Sequence, residues 1–292
     1  MNARVMTWIA ALVILIALSA RAADTVANAR PATQGETDID LRKRYAHLLG
    51  PFRPSEKVQL DADTERLLIV DYLGSGDEEL RDAAADMLGE LFLYGRPIRA
   101  SVFEKYLSKD YPMRVRLVAL AYTLGGVAGG PTGGDVTLEE GLKQKCHEIL
   151  NMAMECPVSP PNLCALALAM SRDGVRGQCI SLVKPENHTL LVRRLLALVS
   201  SERDLYRKHR IMSLVLGFPP EIVAGCVRTW YGLQHDRTTR AVFVAELAPV
   251  VTATKGDPEK AKWLKSILGE VEKDWDEEAL RGEAKKLLAE LE

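Results

Sequence analysis

The sequence predicts an all-α protein, for three reasons. From Leu41 onward, apolar residues recur at intervals of three and four, the spacing that places them on one face of a helix. No stretch of strand length alternates strictly between apolar and polar residues. Proline or glycine-rich segments divide much of the chain into pieces of helix length. Together these features predict a succession of short helices and no sheet.

Turn residues and caps bound the predicted helices. In the second helix, Ala84, Met87, Leu88 and Leu91 fall on one stripe, and Asp77 precedes the first turn, where its carboxylate can accept from the exposed amides. A Gly-Arg-Pro sequence ends this span. The predicted helices cover 61–73, 77–93, 98–108, 112–124, 137–155, 161–171, 175–183, 188–200, 204–217, 220–233, 237–253, 258–272 and 276–291.

The composition is that of an ordinary folded protein. Of 292 residues, 47% are apolar and 27% are charged, which excludes a disordered polyelectrolyte and a multi-span membrane protein. Lys and Arg number 38 and Asp and Glu number 40, so the overall charge offers no argument for nucleic-acid binding. Since only 6% of residues are aromatic, the core is expected to be mainly aliphatic.

The first 22 residues have the pattern of a secretory signal peptide. Arg4 supplies a positive start, 5–20 is apolar, and Ala20-Arg21-Ala22 has the small residues that signal peptidase requires. An uncleaved membrane anchor is the alternative, but this apolar run is shorter than the roughly 20 residues of a spanning helix. We therefore expect cleavage after Ala22 and a flexible linker over 23–40. The mature chain, without a membrane span, would be periplasmic or secreted.

A short motif repeats along the helical region, in which an apolar residue precedes an arginine and an alanine follows three residues after it. It occurs at Leu80-Arg81 with Ala84, at Val115-Arg116 with Ala119, and at Leu280-Arg281 with Ala284. Arg240 with Leu247 is a partial copy, and Asp204 with Lys208 is a weaker one. The acidic residues that precede the four arginine-bearing helices are Asp77, Asp110, Asp236 and Asp276.

This motif resembles the HEAT repeat of the armadillo-like family, in which an aspartate in the turn contacts a ladder of arginines. The resemblance covers 61–125 and 204–291, while 126–200 departs from the pattern. It implies a right-handed α-α superhelix of about six helix pairs over 41–292, with an irregular middle at 126–200. The residues to which it assigns structural roles at repeat positions are Asp77, Arg81, Asp110, Arg116, Asp236, Arg240 and Arg281.

The sequence predicts no catalytic, cofactor-binding or metal-binding residues. The glycine-rich segment 125–134 follows a helix and lacks the Lys-Ser/Thr of a phosphate-binding loop, so we expect a loop between repeats. The histidines are scattered, and none stands in a metalloprotease motif or beside an obvious serine nucleophile.

The five cysteines leave two interpretations open. Cys156 and Cys164 flank a proline-rich turn between two predicted helices, at similar distances from it, and are therefore the best candidates for a disulfide in an exported protein. The alternative is that all five thiols are buried and pack as small apolar groups. No Cys-x-x-Cys or zinc-finger spacing is present.

Basic residues are concentrated in the middle of the chain. Residues 172–210 contain nine basic and four acidic residues, whereas 255–292 contain eight basic and eleven acidic ones. Arg203, Arg207 and Arg210 are spaced four and three apart, which predicts one basic face that an acidic partner would contact. Solvated helix faces and structural bases are the alternative. Tyr206 is the one aromatic residue in this stretch, so nucleic acid is not an expected partner.

These features favour an exported, non-catalytic helical-repeat scaffold that binds another protein through its concave face. The basic middle of the chain suggests a partner with an acidic surface. No cofactor is expected. An enzyme or small-ligand binder that uses the irregular 126–200 region is the alternative function, and a deep polar pocket there would favour it.

Overall fold

The structure is a computed structural model that describes residues 62–93, 98–128, 137–154, 156, 158–254, 257–273 and 278–291. Every regular element in these ranges is helical, in agreement with the predicted all-α class. The predicted signal peptide, the linker over 23–40, Asp276 and most of the glycine-rich segment lie outside the described residues.

The helices follow the predicted order. The first, α1 (Ala62–Arg66), continues directly into a π-helical segment, Leu67–Tyr72. A 3₁₀ helix, Ala100–Leu107, lies between α2 and α3. The remaining helices are α2 (Glu78–Leu93), α3 (Met113–Ala128), α4 (Glu140–Met152), α5 (Pro160–Met170), α6 (Arg176–Leu182), α7 (Pro185–Ser201), α8 (Leu205–Leu216), α9 (Pro220–Leu233), α10 (Arg237–Thr254), α11 (Pro258–Glu272) and α12 (Glu278–Glu290).

Local sequence explains where several helices begin. Proline is the first residue of α5, α7, α9 and α11, where its missing amide hydrogen costs nothing because that amide has no partner within the helix. Helix α7 consequently starts at Pro185, three residues before its predicted start. Asp204 caps α8 by accepting a hydrogen bond from the Arg207 amide at 2.9 Å.

Helix α3 continues through two glycines beyond its predicted end at residue 124. Helix α3 includes Gly125 and Gly126 and ends at Ala128. A Cβ on Gly125 would lie 2.9 Å from the Phe92 ring, and one on Gly126 would lie 2.5 Å from the Ala100 side chain. The two glycines therefore let α3 pack closely against α2 and the 3₁₀ helix, so the start of the predicted loop is helical.

Two rows of contacting helices organise the molecule. Helices α3, α5, α8, α10 and α12 form one row, in which each helix packs against the next. Helices α7, α9 and α11 form a second row, and α7 and α11 pack against α8 and α12 of the first. Helix α2 contacts both α3 and α5, and α6 packs on α4. The core between these helices is largely aliphatic, as predicted.

Candidate functional site

The repeated basic residues occupy one equivalent position in five helices. Each is the fourth residue of its helix, at Arg81 in α2, Arg116 in α3, Lys208 in α8, Arg240 in α10 and Arg281 in α12. The periodic sequence motif therefore corresponds to a periodic place in the structure. Helix α5, in the region that departs from the motif, has Leu163 there.

Lys208 links neighbouring helices of the first row. Its side chain is buried, and its Nζ lies 2.9 Å from the Asp236 carboxylate and also donates to the Thr239 hydroxyl. Asp236 directly precedes α10 and accepts from the Thr239 amide at 3.0 Å, as an N-cap. Hydrogen bonds from Thr239, and then from Lys208, lower the pKa of Asp236 to about 2. Asp236 thus joins the start of α10 to α8.

Arg116 makes a comparable link, although its partner differs from the expected one. It is almost fully buried and forms an ion pair with Glu148 of α4. The hydrogen bond from Arg116 lowers the pKa of Glu148. Asp110, the expected partner, accepts instead from the Ser108 hydroxyl at 2.8 Å. The aspartate before α3 therefore stabilises its own turn.

Arg81 and Arg240 bind the turns that precede their helices. Arg81 donates to the carbonyl oxygen of Ser75 at 3.1 Å, and Arg240 donates to that of Gln234 at 2.7 Å. In each case the acceptor lies six residues before the arginine. Asp236, the acidic residue before Arg240, binds Lys208, one helix back in the row. The hydrogen bonds of Arg81, Lys208 and Arg240 hold turns and adjacent helices in place.

Two arginines of the predicted partner surface also have partners within the chain. Arg207 donates to the Leu93 carbonyl, at the end of α2, at 3.1 Å, and lies 3.6 Å from the Glu202 carboxylate. Arg210 donates at 2.6 Å to the backbone carbonyl oxygen of Ser171, the C-cap residue of α5. Carbonyls at helix ends lack partners within the helix, so a guanidinium stabilises them.

The predicted basic face therefore needs a correction. The Arg207 side chain is only 15% exposed, so its replacement is expected to affect stability. Arg203 precedes the N-cap of α8, so it is not on the helix with the other two. Of the three arginines, Arg203 is the exposed one.

Large apolar side chains that the sequence pattern did not single out are exposed close to Arg203. Leu205 and Tyr206, at the start of α8, are 52% and 69% exposed, and Leu233, at the end of α9, is 72% exposed. The Lys208–Asp236 bond brings the start of α8 next to the turn that follows Leu233. We call Arg203, Leu205, Tyr206 and Leu233 the turn-edge surface. Its sequence signal was available, because Leu205 and Tyr206 lie outside the buried stripe of α8.

The irregular middle of the chain contains a shallow depression along α4. Asn151 shapes it by donating to the Leu182 carbonyl at 3.0 Å and accepting from the Lys184 amide at 2.7 Å. His147 Nδ1 lies 2.8 Å from the same carbonyl, which can only accept, so Nδ1 carries the hydrogen. The residues that line the depression are Gln144, His147, Glu148, Asn151, Met152 and Lys184.

The proposed Cys156–Cys164 disulfide is not formed in the structure, where all five cysteines are free thiols. Cys164 faces away from the turn toward the segment before α8, and its Sγ lies 3.5 Å from the Glu202 carboxylate. Cys146 and Cys179 are fully buried, and burial raises the pKa of each thiol to about 12. The alternative interpretation, of thiols packed as small apolar groups, describes Cys146, Cys164, Cys179 and Cys226.

The described ranges contain neither a metal-binding cluster nor a membrane-spanning helix. These residues contain no group of three or more His, Cys, Asp or Glu side chains arranged to hold a metal ion. None of the described helices is long and apolar enough to cross a membrane. Comparison of the chain with protein-family models, curated proteins and solved structures found no match.

Proposed function

We propose that this protein is an exported helical-repeat scaffold that binds another protein through the turn-edge surface. Two rows of packed helices with a basic residue recurring at the fourth position support a HEAT-like, right-handed superhelical solenoid. Such an array presents one long edge where its interhelical turns line up. The signal-peptide pattern of residues 1–22 supports export to the periplasm or the exterior.

The single observation that carries the proposal is the exposure of Tyr206 and Leu233 at two neighbouring turns of one edge. Tyrosine contributes large contact area with few rotatable bonds, and it is enriched among the residues that dominate binding energy. Arg203 adds an exposed positive charge, whereas Arg207 and Lys208 are already matched by Glu202 and Asp236. We therefore expect the partner to offer an acidic segment with an apolar anchor.

Site-specific photo-crosslinking tests this function. A photoreactive phenylalanine analogue at position 206 is expected to capture one partner in the extracytoplasmic fraction, which mass spectrometry identifies. The same analogue at position 285 is the matched control, because Lys285 is also well exposed but lies on α12. The proposal fails if both positions capture the same proteins in equal amounts.

Binding of the purified partner then tests the individual residues. Tyr206→Ala is expected to weaken binding by about thirtyfold, the effect of about 2 kcal/mol at a hot spot. Arg203→Glu should slow association more at low salt than at high salt, because screening removes long-range attraction. An unchanged affinity in Tyr206→Ala would exclude the turn-edge surface as the binding site.

The depression along α4 favours a second function, binding of a small polar ligand, which is the alternative predicted for the 126–200 region. It brings together a carboxylate, an amide, an imidazole and the Lys184 ammonium beside the exposed Met152. A small-molecule thermal-shift screen tests this function with wild type and Lys184→Ala. A ligand that stabilises the wild type alone would support it.

A further inference from the structure

A row of half-buried carboxylates runs along one face of α2. Asp82, Asp86 and Glu90 are spaced four residues apart, so they lie above one another on the helix. This face contacts α5, and the neighbouring α3 supplies Arg114, which pairs with Asp82 at 3.0 Å. Glu202, in the segment before α8, faces the other end of the row. We call Asp82, Asp86, Glu90 and Glu202 the carboxylate seam.

Asp86 is held by neutral donors of α5. Ser159 Oγ donates to its carboxylate at 2.6 Å, and Asn162 Nδ2 donates to the same oxygen at 3.0 Å. Asn162 is completely buried, and among the described residues its Oδ1 has no hydrogen-bond partner. That oxygen lies against Gly89. Asp86 therefore sits beside a point where Gly89 lets α2 and α5 pack closely, with neutral hydrogen-bond donors around it.

Glu90 shares one arginine with Glu202. Arg207 lies near both carboxylates, and it binds Glu202 at 3.6 Å. Glu202 is only 13% exposed and also accepts from the backbone amides of Arg203 and Asp204 and from the Cys164 thiol. The described charged groups that act on the seam, when ionised, are three guanidiniums and five carboxylates: Arg81, Arg114 and Arg207, and Glu78, Asp82, Asp86, Glu90 and Glu202. Among these described groups, negative charges therefore exceed positive charges by two in a partly buried contact.

We propose that the carboxylate seam is a proton-responsive contact that closes α2 onto α5 and the 202–207 segment when Asp86 and Glu90 take up protons, and loosens when they ionise. Neutral carboxyl groups remove the repulsion between Asp82, Asp86, Glu90 and Glu202 and leave Arg207 to Glu202. Since Arg203, Leu205 and Tyr206 directly follow Glu202, the order of the turn-edge surface would rise as the pH falls.

The pKa values of Asp86 and Glu90 are shifted in the direction that this geometry predicts. Burial raises the pKa of Asp86 and of Glu90, and neighbouring carboxylates raise them further. At Asp86 the hydrogen bond from Ser159, then the charge of Arg114 and the hydrogen bond from Asn162, oppose the rise in pKa. At Glu90 the charge of Arg207 opposes it. A raised pKa in the folded state means that these groups stabilise the fold fully at acidic pH. That contribution is lost as the pH rises through their folded pKa.

Hydrogen–deuterium exchange between pH 4 and pH 7.5, corrected for the intrinsic rate, tests the proposal on the whole protein. In the wild type, amide protection across 78–93 and 202–207 is expected to fall at least threefold as the pH rises, while protection in α12 stays constant. Glu90→Gln and Asp86→Asn keep the shape of each side chain without its charge, so each should reduce this pH response by at least half. Glu278→Gln, an exposed change on α12, is the matched control and should respond as the wild type does.

Either of two results would overturn the proposal. One is a wild-type protection pattern in 78–93 and 202–207 that does not change with pH, which needs no variant. The other is a full pH response retained in both Glu90→Gln and Asp86→Asn. Partner binding is not part of this experiment, so its outcome is separate from that of the scaffold proposal. If one variant does not fold, the other decides.

Discussion

Replacement of Arg207 by alanine tests whether this arginine belongs to the fold or to a binding surface. Its Nη2 satisfies the Leu93 carbonyl at 3.1 Å, and its Nη1 lies 3.6 Å from Glu202, which is itself largely buried. A hydrogen bond from a charged donor contributes about 1.5–3 kcal/mol, and its loss leaves a helix-end carbonyl without that partner. We expect Arg207→Ala to lower the free energy of unfolding by about 2–3 kcal/mol.

Urea unfolding of the purified protein at pH 7, followed by circular dichroism, measures this loss. In a thermal melt, the melting temperature should fall by about 4–12 °C, given about 2–4 °C per kcal/mol for a protein of this size. Arg203→Ala is the matched control, because Arg203 is exposed and only four residues away, so its change should stay within about 0.5 kcal/mol. Equal and small effects of the two variants would refute a structural role for Arg207 and restore it to the surface that a partner contacts.

Three further predictions concern packing, pH and cysteines. Gly89→Ala should destabilise the protein by about 1–3 kcal/mol, because the new Cβ would clash with Asn162 Oδ1 and lie 3.2 Å from the Pro161 backbone. Gly225→Ala, in open space on α9, should instead stabilise the protein by about 1 kcal/mol. Chemical denaturation of both variants distinguishes the steric effect from the helix-propensity effect. The stability that Asp236 contributes is present above its unfolded pKa and is lost as the pH falls from about 4 toward 2. In acid unfolding over that interval, the wild type should lose about 1 kcal/mol more than Asp236→Asn, after allowance for solvent screening of a half-exposed carboxylate. Equal losses in the two proteins would contradict this prediction. In the native protein, thiol titration should find Cys156 the most reactive, because the other four cysteines are buried. After denaturation under non-reducing conditions it should find five thiols, whereas a count of three would show that a disulfide forms.

Local physical chemistry was enough to predict the helical class and most helix positions. Apolar spacing of three and four depends on helix geometry alone, and proline, glycine and Asp204 act within one or two turns of their own position. The recurrence of Arg81, Arg116, Arg240 and Arg281 was also visible, because equivalent helices place equivalent residues at the fourth position. These features need no knowledge of which helices touch.

The partners of those residues were decided only by tertiary packing. The sequence placed Asp110 near Arg116 and Asp236 near Arg240, yet Arg116 binds Glu148, 32 residues away, and Asp236 binds Lys208, 28 residues away. Arg207 reaches Leu93 across 114 residues, so a residue that looked like an exposed charge is a helix cap. The carboxylate seam is likewise invisible locally, because Asp82, Asp86 and Glu90 have the spacing of a solvated helix face. It becomes a partly buried contact because Gly89 lets α5 pack closely against α2, and partial burial then changes the energy of the charges there.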